Sequence, residues 1–126
     1  MEEMERMLEK IEAILAKEPA YKFEVYSFVM AGLHYTVSRL PQPRHVTGKE
    51  LCEGLRDYAL EQFGPMARTV LEYWGIRSTV DFGKIVFLLI EAELLRKTEE
   101  DSVQDFEHLY DFNEAFRYEF KEGKDE

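Results

Sequence analysis

With a single cysteine, Cys52, the chain cannot form an internal disulfide, and its cysteine usage fits a reducing compartment. Four prolines and seven glycines are too few for a linker-rich or low-complexity protein, and no glycine-rich phosphate loop is present. Apolar runs are short. The longest is Ile85-Val86-Phe87-Leu88-Leu89-Ile90, far below the ~18 residues that a membrane-spanning helix needs. The start, MEEMERMLEK, lacks the basic and then apolar pattern of a signal peptide, so a cytoplasmic protein is expected. Basic residues are also scarce: 16 against 26 acids, for a net charge of −10. Eleven acids and three bases fall between Thr98 and Glu126, so the acidity belongs to the C-terminal quarter. Such a surface repels phosphate backbones and anionic membranes.

What is abundant is large apolar side chains. Hydrophobic residues make up 45% of the chain, with nine Phe and seven Tyr, enough to build a core without disulfides or a structural metal. The length suits a single globular domain over residues 1–120, followed by a disordered acidic tail over 121–126.

Ile85–Ile90 sits in a stretch running from Ser78 to Leu95. Ser78 suits a helix N-cap, Asp81 suits the first turn, and Glu91 to Leu95 are strong helix formers. The stretch reads as a helix apolar around most of its circumference, hence central. Before it, Met4, Met7, Leu8, Ile11, Ile14 and Leu15 recur at helical spacing over residues 2–17, stopping before Pro19. From Ala20 to Leu40, Phe23, Tyr26, Met30, Leu33, Val37 and Leu40 form one stripe, and Val25, Phe28 and Val29 a second. KFEVYSFVM within it alternates well enough to pass for a strand, but a helix buried on two sides is the better reading. Pro41 and Pro43 end that element. Thr47-Gly48-Lys49-Glu50 has the form of a capping box, opening a helix whose inward face is Leu51, Cys52, Leu55, Tyr58, Ala59 and Phe63. Gly64-Pro65 punctuates the next, shorter helix, with Met66, Ala67, Val70, Leu71 and Trp74 facing inward and Gly75 at its end.

After Leu95 the pattern turns polar. Lys97-Thr98 and Val103–Phe106 are compatible with a small β-hairpin, and Asp111 can cap a last short helix carrying Ala115, Phe116 and Phe120. The fold class expected is mainly α: a compact helical domain whose helix trio is reminiscent of a winged helix with a small C-terminal hairpin. Winged helices often place Gly just before the Leu-Leu that leaves the third helix. Glu93 stands there, which leaves that helix free to continue.

A winged helix that bound nucleic acid would need Arg, Lys, Asn or Gln on its third helix. Lys84 is the only base between Ser78 and Leu95, against Asp81, Glu91 and Glu93, so a nucleic-acid regulator is the weakest reading. Asp105, Glu107, His108 and Asp111 are chemically usable metal ligands. Their spacing matches neither a calcium loop nor a His-pair zinc motif, and a solvated acidic turn is the simpler account. Cys52 lies on an apolar helix face, where it acts as a small hydrophobe. No catalytic residue and no cofactor is assigned. The best candidate site is Arg39, Arg44 and His45, a positive cluster on a loop, with His34 and Tyr35 one turn back. Against it stands a purely structural role, in which Arg44 and His45 cap helix ends or pair with the acidic tail.

Arg44-His45-Val46, Gly48 with Glu50-Leu51, Phe63-Gly64-Pro65-Met66-Ala67 and Trp74-Gly75-Ile76 together form a distinctive pattern. Asp81-Phe82-Gly83 with Ile85-Val86-Phe87, Lys97-Thr98-Glu99-Glu100-Asp101 and Tyr110-Asp111-Phe112 extend it over most of residues 21–116. In this the chain resembles a bacterial protein family of about this length to which no activity is attached. The resemblance implies a bacterial, cytosolic, single-domain protein and transfers no catalytic residue. The expectation is a non-catalytic protein-interaction module, a homodimer or a binder of another protein, using the acidic C-terminal region or the N-terminal helix. The alternative is a small anionic-ligand binder or small enzyme at Arg39, Arg44 and His45, which requires a concave pocket beside those side chains.

Overall fold

Residues 2–17, 21–96 and 103–116 are described by the computed structural model. They form α1 (Glu2–Lys17), α2 (Phe23–Ser38), α3 (Gly48–Phe63), α4 (Ala67–Tyr73), α5 (Thr79–Glu91) and α6 (Phe112–Ala115), with 3₁₀ turns at Gly64–Met66 and Val103–Phe106 and no strand among them. The fold is thus a compact, mainly helical one with one contiguous core. None of these helices is long and apolar enough to cross a membrane.

KFEVYSFVM is helical from Phe23 on, with Lys22 as the extended N-cap. In α2 the stripe of Val25, Phe28 and Val29 is buried together with Tyr26, Gly32 and Thr36, whereas Phe23 of the other stripe is 41% exposed. The cause is a close crossing of α2 and α3. A Cβ on Gly32 would run into Leu55, and one on Gly54 would run into the Thr36 hydroxyl. Two glycines therefore let these backbones approach, at the helix-propensity cost glycine carries. Thr36 is satisfied within its own helix, its hydroxyl donating to the Gly32 carbonyl at 2.7 Å.

The capping box forms as expected: Thr47 Oγ1 accepts from the Glu50 amide (3.1 Å) and the Glu50 carboxylate accepts from the Thr47 amide (2.9 Å). At the other end of α3, Gly64 adopts φ 55° and leads into a 3₁₀ turn. Met66 belongs to that turn, out of phase with the inward face of Ala67 and Leu71, and is 53% exposed where an inward side chain was expected. Trp74 is half-buried against Phe28 and Phe63, ring centroids 5.6 and 5.8 Å away. That position makes it part of the packing.

α5 touches α1, α2, α3 and the Val103–Phe106 turn, the central place its apolar circumference required. Phe82, Ile85 and Leu89 are fully buried, each contributing about 1.5–3 kcal/mol over an exposed side chain. Its start differs in detail from the sequence reading. Ser78 holds the N-cap position without a side-chain cap bond. Asp81 does the fastening instead, accepting from the Arg77 amide and from the Tyr21 hydroxyl, both at 2.9 Å.

The end of α5 is a correction. Glu93 was expected to let the helix run on, yet the helix stops at Glu91 and Glu93 takes φ 64°. The Glu93 amide donates to the Ile90 carbonyl and the Leu94 amide to the Leu89 carbonyl, both at 2.9 Å. That pair of bonds is a Schellman motif with glutamate where glycine is usual. α4 closes with the same motif around Gly75, φ 91°: Gly75 donates to Glu72 and Ile76 to Leu71.

The hairpin is a second correction. Val103–Phe106 is one turn of 3₁₀ helix, and residues 97–102 lie outside the described residues. Tertiary docking decides its shape. The Phe106 ring lies where a Cβ on Gly83 would come within 2.7 Å of its Cγ and one on Gly48 within 3.1 Å of its Cε1. The Thr79 hydroxyl donates to the Phe106 carbonyl and accepts from the Leu109 amide (3.2 Å). Asp111 caps α6 by accepting from the Asn113 amide at 2.9 Å. Phe112 packs on Phe82 and Phe116, centroids 6.0 and 4.9 Å. Phe120 and the tail expected at 121–126 lie outside the described residues.

α1 lies on α2 and α5 with Ile11 and Ile14 buried, the domain body being its partner. Met4 and Leu8 remain 56% and 38% exposed.

Candidate ligand-binding site

Pro41 and Pro43 hold residues 41–47 out of helical geometry, and Val46, buried, pins that loop to the core. Arg44 is fixed next. Its Nη1 and Nη2 each donate to the Glu50 carboxylate at 3.0 Å, and Nη1 also donates to the His45 carbonyl at 3.0 Å. Glu50 therefore receives Arg44 and the Thr47 amide at once. The Arg44 guanidinium, first, and that amide bring its pKa down to about 2, and the same pairing raises that of Arg44.

This braced loop forms one side of a concave pocket of about 210 Å³. Leu33 and Val37 of α2, Leu51 of α3, and Val86, Phe87 and Ile90 of α5 make its apolar walls, with Phe106 and Leu95 closing it. Arg44, His45, Val46, Thr47, Gly48 and Arg96 complete the lining. Arg96 is exposed and carries no ion pair among the described residues. No acid lines the pocket among the described residues, although Asp105 stands beside Gly48.

The five residues singled out in the sequence separate into two groups. Arg44 and His45 line the pocket. Arg39, His34 and Tyr35 do not. Arg39 pairs with Asp57 at 3.3 Å and stacks on the Tyr35 ring, 4.8 Å from its centroid. Tyr35 in turn packs on Tyr58 at 5.2 Å, and its phenol is raised by desolvation and by a hydrogen bond with Glu61. Arg39 and Tyr35 thus brace the seam between α2 and α3. His34 is exposed.

Asp105, His108 and Asp111 do not gather, with any His, Cys, Asp or Glu among the described residues, into a group of three that would hold a metal ion. Asp111 is engaged as the α6 cap. Cys52 is fully buried, and burial pushes its thiol well above the ordinary range, which removes the thiolate that nucleophilic chemistry needs. Its carbonyl accepts from the Tyr110 hydroxyl at 2.7 Å.

Sequence reasoning missed the α5 wall, Phe106 and Arg96. Val86, Phe87 and Ile90 were read as part of an all-round apolar helix, and nothing in the local pattern separated the face turned to other helices from the face turned to a cavity. Arg96 carried a signal, the first of two adjacent bases directly after Leu94-Leu95.

Compared with protein-family models, with curated proteins and with solved structures, the chain matches none of them.

Proposed function

We propose that this protein is a non-catalytic binder of a small anion with an apolar part. The observation that carries the reading is the pocket itself: an apolar cavity of about 210 Å³ with Arg44, His45 and Arg96 among its lining residues. Apolar walls with a few placed polar groups are the usual form of a small-molecule site. The Thr47 hydroxyl in the lining accepts from the Glu50 amide as part of the capping box, a structural use that fits binding without turnover. The family resemblance, read as a bacterial and cytosolic protein, is compatible with such a role.

An NMR titration with short-chain amphipathic anions tests the reading. Amide shifts are expected at Val86, Phe87, Ile90 and Arg96, and no shift at those positions up to millimolar ligand would sink it. A second reading, a protein-interaction module or homodimer using the N-terminal helix, is favoured by the exposed Met4 and Leu8 on α1. It predicts a concentration-dependent mass in light scattering that the paired change Met4→Glu, Leu8→Glu abolishes.

A further inference from the structure

We infer that the ligand is a monocarboxylate on a short hydrocarbon chain, and that Arg96, not Arg44, holds its charge. The inference rests on the binding reading above and sharpens it. Of the two guanidinium groups in the lining, Arg44 is already spent: both its terminal nitrogens donate to Glu50 at 3.0 Å, so the pair is close to neutral as seen from the cavity. Arg96 has no ion pair among the described residues and lines the same cavity. One uncompensated guanidinium matches one negative charge, and its planar fork matches the two oxygens of a carboxylate.

A second negative charge is disfavoured. The Arg44 guanidinium is matched by the Glu50 carboxylate and brings no net positive charge to the cavity. A phosphate dianion held by Arg96 would leave its second charge beside apolar walls with no second free guanidinium to answer it. The apolar part is set by the walls. A volume of about 210 Å³ at about 30 Å³ per water-sized group holds about seven non-hydrogen atoms, a chain the length of a medium-chain fatty acid. Leu33, Val86, Phe87 and Phe106 offer that chain no polar partner but the hydroxyl-free surface it needs.

The test compares octanoate, octyl phosphate and octanol by calorimetry and by NMR on the full chain, with Arg96→Gln and the paired change Arg44→Gln, Glu50→Gln. Octanoate should bind more tightly than the other two. Arg96→Gln should weaken octanoate about tenfold, the loss of one charge-assisted contact, and leave octanol unchanged, which also shows that the pocket is intact. The neutral Arg44/Glu50 replacement should change octanoate affinity by no more than about twofold. Octyl phosphate binding as tightly as octanoate, or Arg96→Gln binding octanoate like wild type, overturns the inference while leaving the binding reading in place. Failure of all three probes to shift the pocket amides overturns the binding reading itself.

Discussion

Glu93→Gly should make this protein more stable, although it removes a side chain and adds the most flexible residue to the chain. Glu93 holds φ 64° in the Schellman motif that ends α5. An L-residue in this left-handed region costs about 1–2 kcal/mol from contact between Cβ and the following carbonyl. Glycine is free of that contact but has more entropy to lose on folding, about 0.4–1 kcal/mol. The difference leaves a net gain of about 0.5–1 kcal/mol. With an unfolding entropy of about 2.1 cal/mol/K per residue, that corresponds to a rise in melting temperature of about 2–4 °C. The carboxylate also sits at a helix C-terminus, where negative charge is unfavourable by about 0.3 kcal/mol or more. Glu93→Gln isolates this second effect, since it removes the charge and keeps the Cβ, and it should recover only the smaller part. Gly75→Ala supplies the converse: the same motif at the end of α4, with φ 91°, should lose more than 1 kcal/mol. Calorimetric melting of the four proteins checks the set. A Glu93→Gly midpoint at or below wild type, with Glu93→Gln above it, would refute the conformational argument.

Two further outcomes follow from the pocket wall and the braced loop. Glu50 has its pKa brought down to about 2 in the folded protein, below its unfolded value. Its contribution to stability is therefore complete above the ordinary carboxylate range and disappears as the pH falls from about 4.5 toward 2; in chemical denaturation the advantage of wild type over Glu50→Gln should shrink across that window and not above it. Gly83→Ala places a Cβ within 2.7 Å of Phe106 Cγ, so the ring must move, at about 1–3 kcal/mol, and amide shifts should concentrate on residues 103–110 and on the pocket wall.

The helices were legible because each carried its own punctuation. Thr47 and Glu50 announced the start of α3, Gly64-Pro65 its end, and the two stripes of α2 its burial on two sides. The misreadings share one cause, tertiary contact overriding local preference. Glu93 has no local reason to adopt positive φ; Leu94 and Leu95, drawn back onto the core, supply it. Val103–Phe106 reads as β-prone, but Phe106 finds a seat over two glycines 58 and 23 positions earlier, and the chain coils to reach it. The candidate site was half legible for a similar reason. Charge and loop position pointed to Arg44 and His45, yet the cavity beside them is made by α2, α5 and Phe106, whose meeting no local pattern records.

The hydroxyl of Thr79 joins the first turn of α5 to a segment about thirty residues on, giving a hydrogen to the Phe106 carbonyl and taking one from the Leu109 amide. During synthesis the helices through α5 leave the ribosome before the aromatic side chain that completes their cavity. Without residues 106–109 the cavity lacks the Phe106 side of its lining, so the docking of that segment on Thr79 is the step that completes it. The Leu109 amide proton is thus a clock for the closing step. Its hydrogen exchange reports the undocking of this one segment, and a molecule seated against Phe106 would slow that exchange ahead of the amides of α1.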